Sequence, residues 1–219
     1  MKRFIIIGLG NFGAGVAETL HRGGHDVIAV DTSEHAVDRI AQYVGRAAVG
    51  DGRDARTLER VGARDADAAV VSTGDDITAS VLTTLVLRDL GVREIYVKVI
   101  SRDHGRVMEK LGVAETIFPE RESAIRLGHR IANRTLLQYI QLGENFSIQE
   151  MAVPDAWVGR SLRQLELPRH YRISVIAVHD VLTDEMVTVP DPDAPLKESD
   201  TLVIAGRNEH LARIARTDR

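Results

Sequence analysis

The residues best suited to chemistry in this chain are three glycines and one carboxylate. Gly8-Leu9-Gly10-Asn11-Phe12-Gly13 follows directly on an apolar run, Phe4–Ile7, and leads directly into an amphipathic stretch. In a G-x-G-x-x-G loop of this kind the first glycine permits a tight turn, the second lets backbone approach a phosphate, and the third lets helix pack on strand. The helix N-terminus then turns unpaired N–H groups and the positive end of its dipole towards phosphate oxygens. Asp31 closes the next apolar run, 18 residues after Gly13, where a carboxylate accepts hydrogen bonds from ribose hydroxyls. Loop and acid together point to a dinucleotide or an adenine nucleotide. Glycines that merely shape a strand-to-helix turn are the alternative.

Other polar residues fall at matching places. Asp31 is followed by Thr32-Ser33 rather than by arginine, so nothing compensates a 2′-phosphate and NADP is disfavoured. Asp51, in Gly50-Asp51-Gly52, follows the third apolar run where adenine would lie, and reads equally as a helix cap before Ala55–Val61. Ser72-Thr73-Gly74-Asp75-Asp76 follows the fourth run and suits a crevice floor, although Thr73 and Asp76 are also good capping residues. Lys98 either reaches phosphate or carries its charge out to solvent at the sheet edge.

Several chemistries are missing. With no cysteine, the chain has no disulfide framework, thiolate metal site or catalytic thiol. It carries no Walker lysine motif, no His-Glu-x-x-His and no G-x-S-x-G. His21 and His25 have helical spacing, but Gly23-Gly24 intervenes; His170, His179 and His210 lie in polar contexts that suit exposed structural residues. A net charge of −4 and a pI near 6.1 argue against a sequence-independent grip on nucleic acid. The run Phe4–Ile7 is far shorter than the roughly 20 residues of a membrane span. A soluble globular protein in a reducing compartment is expected.

These side chains need a scaffold, and the first 118 residues supply one by alternating β-branched runs with amphipathic stretches. Strands are expected at Phe4–Ile7, Val27–Val30, Ala47–Val49, Ala68–Ser72, Ile95–Val99 and Thr116–Phe118. Helices are expected at Phe12–Arg22, Glu34–Tyr43, Ala55–Val61, Ile77–Leu90 and His104–Leu111. Six strands and five crossovers make a Rossmann-like, doubly wound parallel sheet (residues 1–118) with a crevice at the carboxyl ends of its strands. Pro119-Glu120-Arg121-Glu122 opens a crossover helix, residues 119–142, whose apolar positions include Ile125, Ile131, Leu136, Tyr139 and Ile140 on more than one face. Such a helix leaves the sheet and packs on a second subunit. Residues 143–219 read as a small α+β domain, with strands at Ile148–Val153, Ile173–Val178, Met186–Val189 and Leu202–Ala205 and helices at Ser161–Leu165 and Asn208–Ala215.

The string Ile7-Gly8-Leu9-Gly10-Asn11-Phe12-Gly13, with Val30-Asp31, Gly50-Asp51, Val97-Lys98 and Phe118-Pro119-Glu120, resembles the RCK family. The chain looks most like the gating subunits of Ktr/Trk-type bacterial potassium uptake systems, over nearly its whole length. The resemblance implies a cytoplasmic octameric ring, built from dimers, on the inner face of the membrane beneath a potassium-translocating subunit. It also implies a change of shape with bound NAD(H) or ADP/ATP. By position Gly8, Gly10, Asn11, Phe12 and Gly13 line the nucleotide with Asp31 and Thr32. Asp51, Ser72, Thr73, Gly74 and Lys98 complete that set, and Glu120 faces it from a neighbouring subunit beside Mg2+. Ktr members commonly carry arginine where this chain has Asn11, so the resemblance leaves NAD(H), ADP and ATP open. Some members bind cyclic di-AMP in the C-terminal domain through a basic residue before a strand. Pro168 stands at that position here, ahead of Arg169-His170-Tyr171-Arg172, so this ligand is not expected. A regulatory, non-enzymatic subunit is the expected function, with a small NAD-dependent oxidoreductase as the alternative.

Overall fold

The computed structural model describes residues 1–132 and 136–214. They form two compact units, Met1–Glu120 and Arg121 onwards.

The first unit alternates strand and helix throughout: β1 (Arg3–Ile7), α1 (Asn11–Arg22), β2 (Asp26–Asp31), α2 (Glu34–Ala41), β3 (Arg46–Val49), α3 (Ala55–Val61), β4 (Ala68–Val71), α4 (Ile77–Asp89), β5 (Glu94–Lys98), α5 (Arg102–Lys110) and β6 (Glu115–Ile117). Its six strands are parallel and ordered β3-β2-β1-β4-β5-β6. Helices cover both faces, so the central strands are continuous apolar runs rather than alternating ones. Ile5 and Ile6 of β1 and every residue of β4 are buried. Ile5 and Ile7 belong to the core cluster with Leu58, Leu87, Ile95 and Met108; Ile6 packs on the opposite face with Leu9, Ala17, Val27 and Ile40. The chain runs outward from β1 to β3, then returns to place β4 on the other side of β1. Loops after β1 and β4 therefore leave the sheet in opposite directions and open a crevice between them.

The second unit contains α6 (Pro119–Ala132, starting at the boundary), β7 (Leu136–Gly143), β8 (Phe146–Ala152), α7 (Leu162–Leu165), α8 (Leu167–Tyr171), β9 (Ser174–Asp180), β10 (Glu185–Val187), β11 (Asp200–Arg207) and α9 (Asn208–Ile214). The sheet is antiparallel in the order β10-β9-β11-β8-β7. Its core gathers Met151, Trp157, Leu167, Ile173, Leu202, Ile204 and Leu211. Trp157 meets Tyr171 edge to face, with centroids 5.7 Å apart.

One expected element is different. The single helix across residues 119–142 is not what forms: α6 ends at Ala132 and 136–143 is a strand, with 133–135 outside the described residues. The scattered apolar positions were the sign. Leu136 and Tyr139 point into the second unit while Ile140 and Leu142 stay exposed, and pairing with β8 across the Glu144-Asn145 turn outweighs local helix propensity. Leu136, expected on an uncovered face, is only 5% exposed. Ile125, Ile131 and Ile140 remain uncovered at 39%, 74% and 56%. Helix α8 was not anticipated, and Ala215, expected as the end of the last helix, lies outside the described residues.

A buried polar pair joins α4 to α5 in the first unit. His104 is buried, its Nε2 stands 3.2 Å from the Ser80 hydroxyl, and the Ile100 N–H donates to Nδ1 over 3.5 Å. Burial pushes the imidazole pKa down, so the folded chain holds it neutral. Unfolding lets it take a proton at its ordinary value of about 6.5. Its stabilising contribution is therefore complete above that pH and is lost as the pH falls towards the lower folded pKa. Urea titrations at pH 7.5 and 5.5 should show a loss of stability in wild type that shrinks in His104→Gln. An equal loss in both would assign the acid sensitivity to other groups.

Candidate functional site

At the crevice between the ends of β1 and β4, two loops touch. Gly8 adopts φ +92°, and a Cβ there would stand 2.0 Å from the Ser72 carbonyl oxygen. The chain registers on both sides through Gly8 N–H to the Val30 carbonyl and Ser72 N–H to the Ile7 carbonyl, at 2.9 and 2.7 Å. Gly13 is equally confined, its Cβ position lying 1.9 Å from the Gly8 carbonyl oxygen. Gly10 faces open space. Two glycines thus allow the loop to close, and the third leaves room above it.

What the loop presents is the start of α1. Helices α2, α3, α4 and α5 each begin with a side chain that accepts a first-turn N–H: Ser33, Asp54, Asp76 and Ser101. Helix α1 follows directly on Gly10, which has no side chain with which to cap it. A helix leaves its first N–H groups without intrahelical partners. Around Asn11, Phe12 and Gly13 those donors stand uncapped beside the open side of the loop. Asn11 is exposed, whereas Phe12 is half-buried and packs against the core cluster that includes Leu9.

Asp31 stands at the end of β2 with its carboxylate committed to backbone. One oxygen accepts the Leu9 N–H at 2.6 Å and the other the Ser33 N–H at 2.8 Å. The carboxylate is thereby fixed beside the glycine loop, with lone pairs left for further donors. Thr32 is exposed next to it. Arg39, which no local motif singles out, reaches back from α2 and donates to the Leu9 carbonyl at 3.0 Å. Only folding reveals that contact, since Arg39 sits eight positions beyond Asp31 on an otherwise ordinary helix.

Asp51 follows β3 and is not the cap of α3; Asp54 is. It accepts the Arg53 N–H and grips the Arg53 guanidinium, with the shortest contact 2.7 Å. The hydrogen bonds from Arg53 hold the Asp51 carboxyl below the usual carboxylate range. After β4, Ser72 is buried, Thr73 donates to the Asp76 carbonyl at 3.3 Å, and Asp76 rather than Thr73 caps α4. Gly74 adopts φ +64° with nothing near its Cβ position, which keeps that side of the crevice low.

At the end of β5, Lys98 is largely covered and places its ammonium 2.6 Å from the exposed Glu120 carboxylate at the start of α6. The Lys98 hydrogen bond holds Glu120 below the usual carboxylate range. Glu120, expected to serve a neighbouring subunit and a divalent cation, is engaged within its own chain. Among the described residues no group of three His, Asp or Glu side chains could hold a metal ion. A magnesium ion at Glu120 would need phosphate oxygens to complete its shell, which suits a cation that prefers one or two carboxylates plus substrate phosphates.

Residues 4–119 match the TrkA-N domain and residues 148–217 the TrkA-C domain. Ktr system potassium uptake protein C of Bacillus subtilis (strain 168) is 32% identical over 212 residues, covering 97% of this chain and 95% of that protein. Among solved structures, the GsuK channel bound to NAD superposes with a TM-score of 0.65 at 20% identity, over 96% of this chain and 38% of that one. The AMP-bound form of the Shewanella denitrificans Kef CTD gives a TM-score of 0.52 at 26% identity, over 59% and 79%.

The unequal confinement of the glycines is directly testable. Gly13→Ala forces a methyl group into backbone and should cost at least the 1–3 kcal/mol typical of overpacking. Gly10→Ala meets nothing and should unfold within about 0.5 kcal/mol of wild type. Denaturant midpoints for the two variants measure the difference; equal losses would mean that the loop relaxes around Gly13.

Proposed function

Because the chain belongs to the RCK-type TrkA/KtrA family of potassium-uptake regulatory subunits, we propose that NAD(H) or ADP/ATP, bound at the β1–β4 crevice, switches it between two shapes that a membrane potassium-translocating partner reads. Family membership makes it a regulatory subunit that binds nucleotide, not an enzyme. The observation that carries the site is the uncapped start of α1, the exception among the five helices α1 to α5.

Each residue has a part in this reading. Gly8 and Gly13 close the loop, and the first-turn N–H groups at Gly10, Asn11, Phe12 and Gly13 receive the phosphates. Asp31, already fixed by Leu9 and Ser33, accepts the ribose hydroxyls, with Thr32 and Asp51 towards the adenine. Ser72, Thr73 and Gly74 form the floor. Lys98 offers its ammonium to phosphate, and Glu120, once released, helps to hold magnesium there. Bound NAD and AMP in the channel and Kef relatives support this reading. Gating requires only that the nucleotide prefer one shape. A coupling of about 1–3 kcal/mol per site changes affinity roughly 5- to 150-fold, and a ring sums several sites.

The uncovered Ile125, Leu127, Ile131 and Ile140 support assembly through the α6–β7 segment, with the octameric ring of the cytoplasmic face as its completed form. No helix among the described residues is long and apolar enough to cross a membrane.

Native mass spectrometry of the purified protein should show a ring carrying retained nucleotide, and Asp31→Ala should lose it. Calorimetry should put that loss at roughly 1.5–3 kcal/mol, the value of a hydrogen bond to a charged group. A nucleotide-free monomer, or unchanged affinity in Asp31→Ala, would overturn the reading.

Asn11 sets the discrimination among phosphates. An asparagine brings donors without charge, whereas arginine brings a charged fork. Wild type should separate ATP from ADP by less than about tenfold, and Asn11→Arg should raise the ATP preference by about 10-fold or more. Paired titrations with and without magnesium provide the check; a wild type already favouring ATP a hundredfold would place the γ-phosphate contact elsewhere.

A further inference from the structure

Asp31 and Arg39 hold opposite ends of one residue of the glycine loop. The Leu9 N–H donates to the Asp31 carboxylate at 2.6 Å, and Arg39 Nη2 donates to the Leu9 carbonyl at 3.0 Å. A cation from α2 is thereby brought to the same loop residue as the carboxylate that the nucleotide reading assigns to the ribose hydroxyls. Other cations at the strand ends are matched by carboxylates, Arg53 by Asp51 and Lys98 by Glu120. Arg39 is not. It is exposed, among the described residues it makes no ion pair, and the Leu9 carbonyl occupies one N–H of its guanidinium fork.

The neighbours of Arg39 suit an anion as well. Helix geometry places His35 one turn earlier on the same face of α2, and His35 is exposed too. Glu34 and Asp38 each stand one position earlier, on the adjoining face. At the end of β2 Thr32 is exposed and is not the cap of α2, a part taken by Ser33. The Asp31 carboxylate adjoins this group, but each of its oxygens already accepts a backbone N–H, which spreads its charge.

We propose that Arg39, with His35 and Thr32, forms a subsite for a phosphate on the ribose 2′-oxygen, so that the crevice admits 2′-phosphorylated nucleotides such as NADP(H) beside unphosphorylated ones. The proposal rests on the nucleotide reading of the crevice and extends it to a further class of ligand. Thr32-Ser33 bring no cation after Asp31, so the strand end by itself argues against a 2′-phosphate; the cation arrives from the second turn of α2 instead. A planar guanidinium meets two phosphate oxygens at once, and a nearby arginine is what lets a ribose site of this kind accept the 2′-phosphate. Asp31 alone repels that group. Arg39 offsets the repulsion, and neither class of nucleotide is strongly preferred.

The test compares 5′-AMP with adenosine 2′,5′-bisphosphate, which differ only in the 2′-phosphate, by calorimetry on the full chain freed of retained nucleotide. Wild type should bind the two within about tenfold of each other. Arg39→Gln should weaken the bisphosphate by about tenfold or more and leave AMP within about threefold of wild type. His35→Gln should weaken the bisphosphate less. Arg22→Gln, which removes a guanidinium paired with Glu18 at the far end of α1, should change neither ligand. An Arg39 that merely steadies the Leu9 carbonyl predicts equal losses for both ligands in Arg39→Gln, and that result would overturn the proposal. A wild type that binds AMP but rejects the bisphosphate by about a hundredfold would overturn it too, with the nucleotide reading intact. If neither ligand binds, the nucleotide reading fails and the subsite falls with it.

Discussion

No side-chain atom fits between Gly8 and the Ser72 carbonyl, and the first unit is arranged around that close approach. It exists because β1 and β4 are neighbours in space though separated by two strands in sequence. Their loops diverge from a common origin, and the space between them is the crevice. A larger residue at position 8 would push the β4 loop outward and carry Ser72, Thr73 and Gly74 with it. Asp31 completes the arrangement from the other side by tying the Leu9 N–H to the end of β2. Three neighbouring strands are therefore fastened together at their carboxyl ends by backbone contacts alone or by one carboxylate.

Part of the charge at the crevice is paired within the chain. Asp51 is matched by Arg53 and Glu120 by Lys98, while Arg39 spends one donor on the Leu9 carbonyl. These pairs are at least partly exposed and contribute little to stability. Their effect is on placement, since each fixes a long side chain near the strand ends at modest cost.

Most of the first unit was legible in the sequence because local and tertiary preferences agree there. Apolar runs, capping residues and terminal glycines all mark the same boundaries, and α3 forms at Ala55–Val61 as read. The glycine loop and Asp31 were equally visible because spacing alone carries them. Legibility failed where partners are distant in sequence. Nothing near Leu136 announces β8, so its apolar positions read as helical until pairing makes them a strand. Arg39 has no motif, and the Lys98–Glu120 pair joins residues 22 positions apart. Asp51 and Asp54 are both plausible caps by type; the structure chooses Asp54, and Asp51 turns to Arg53.

The bond between Lys98 and Glu120 means that any phosphate arriving at Lys98 enters by exchange. One anion leaves as another enters, so the electrostatic gain is the difference between two similar contacts rather than the whole of one. On the proposed reading, that exchange lowers the net gain from the Lys98 contact. A receptor that held its nucleotide tightly would stay full whatever the state of the cell, whereas one that trades partners empties and refills as the supply changes. The same exchange frees a carboxylate at the first turn of α6, where the chain leaves one compact unit for the next.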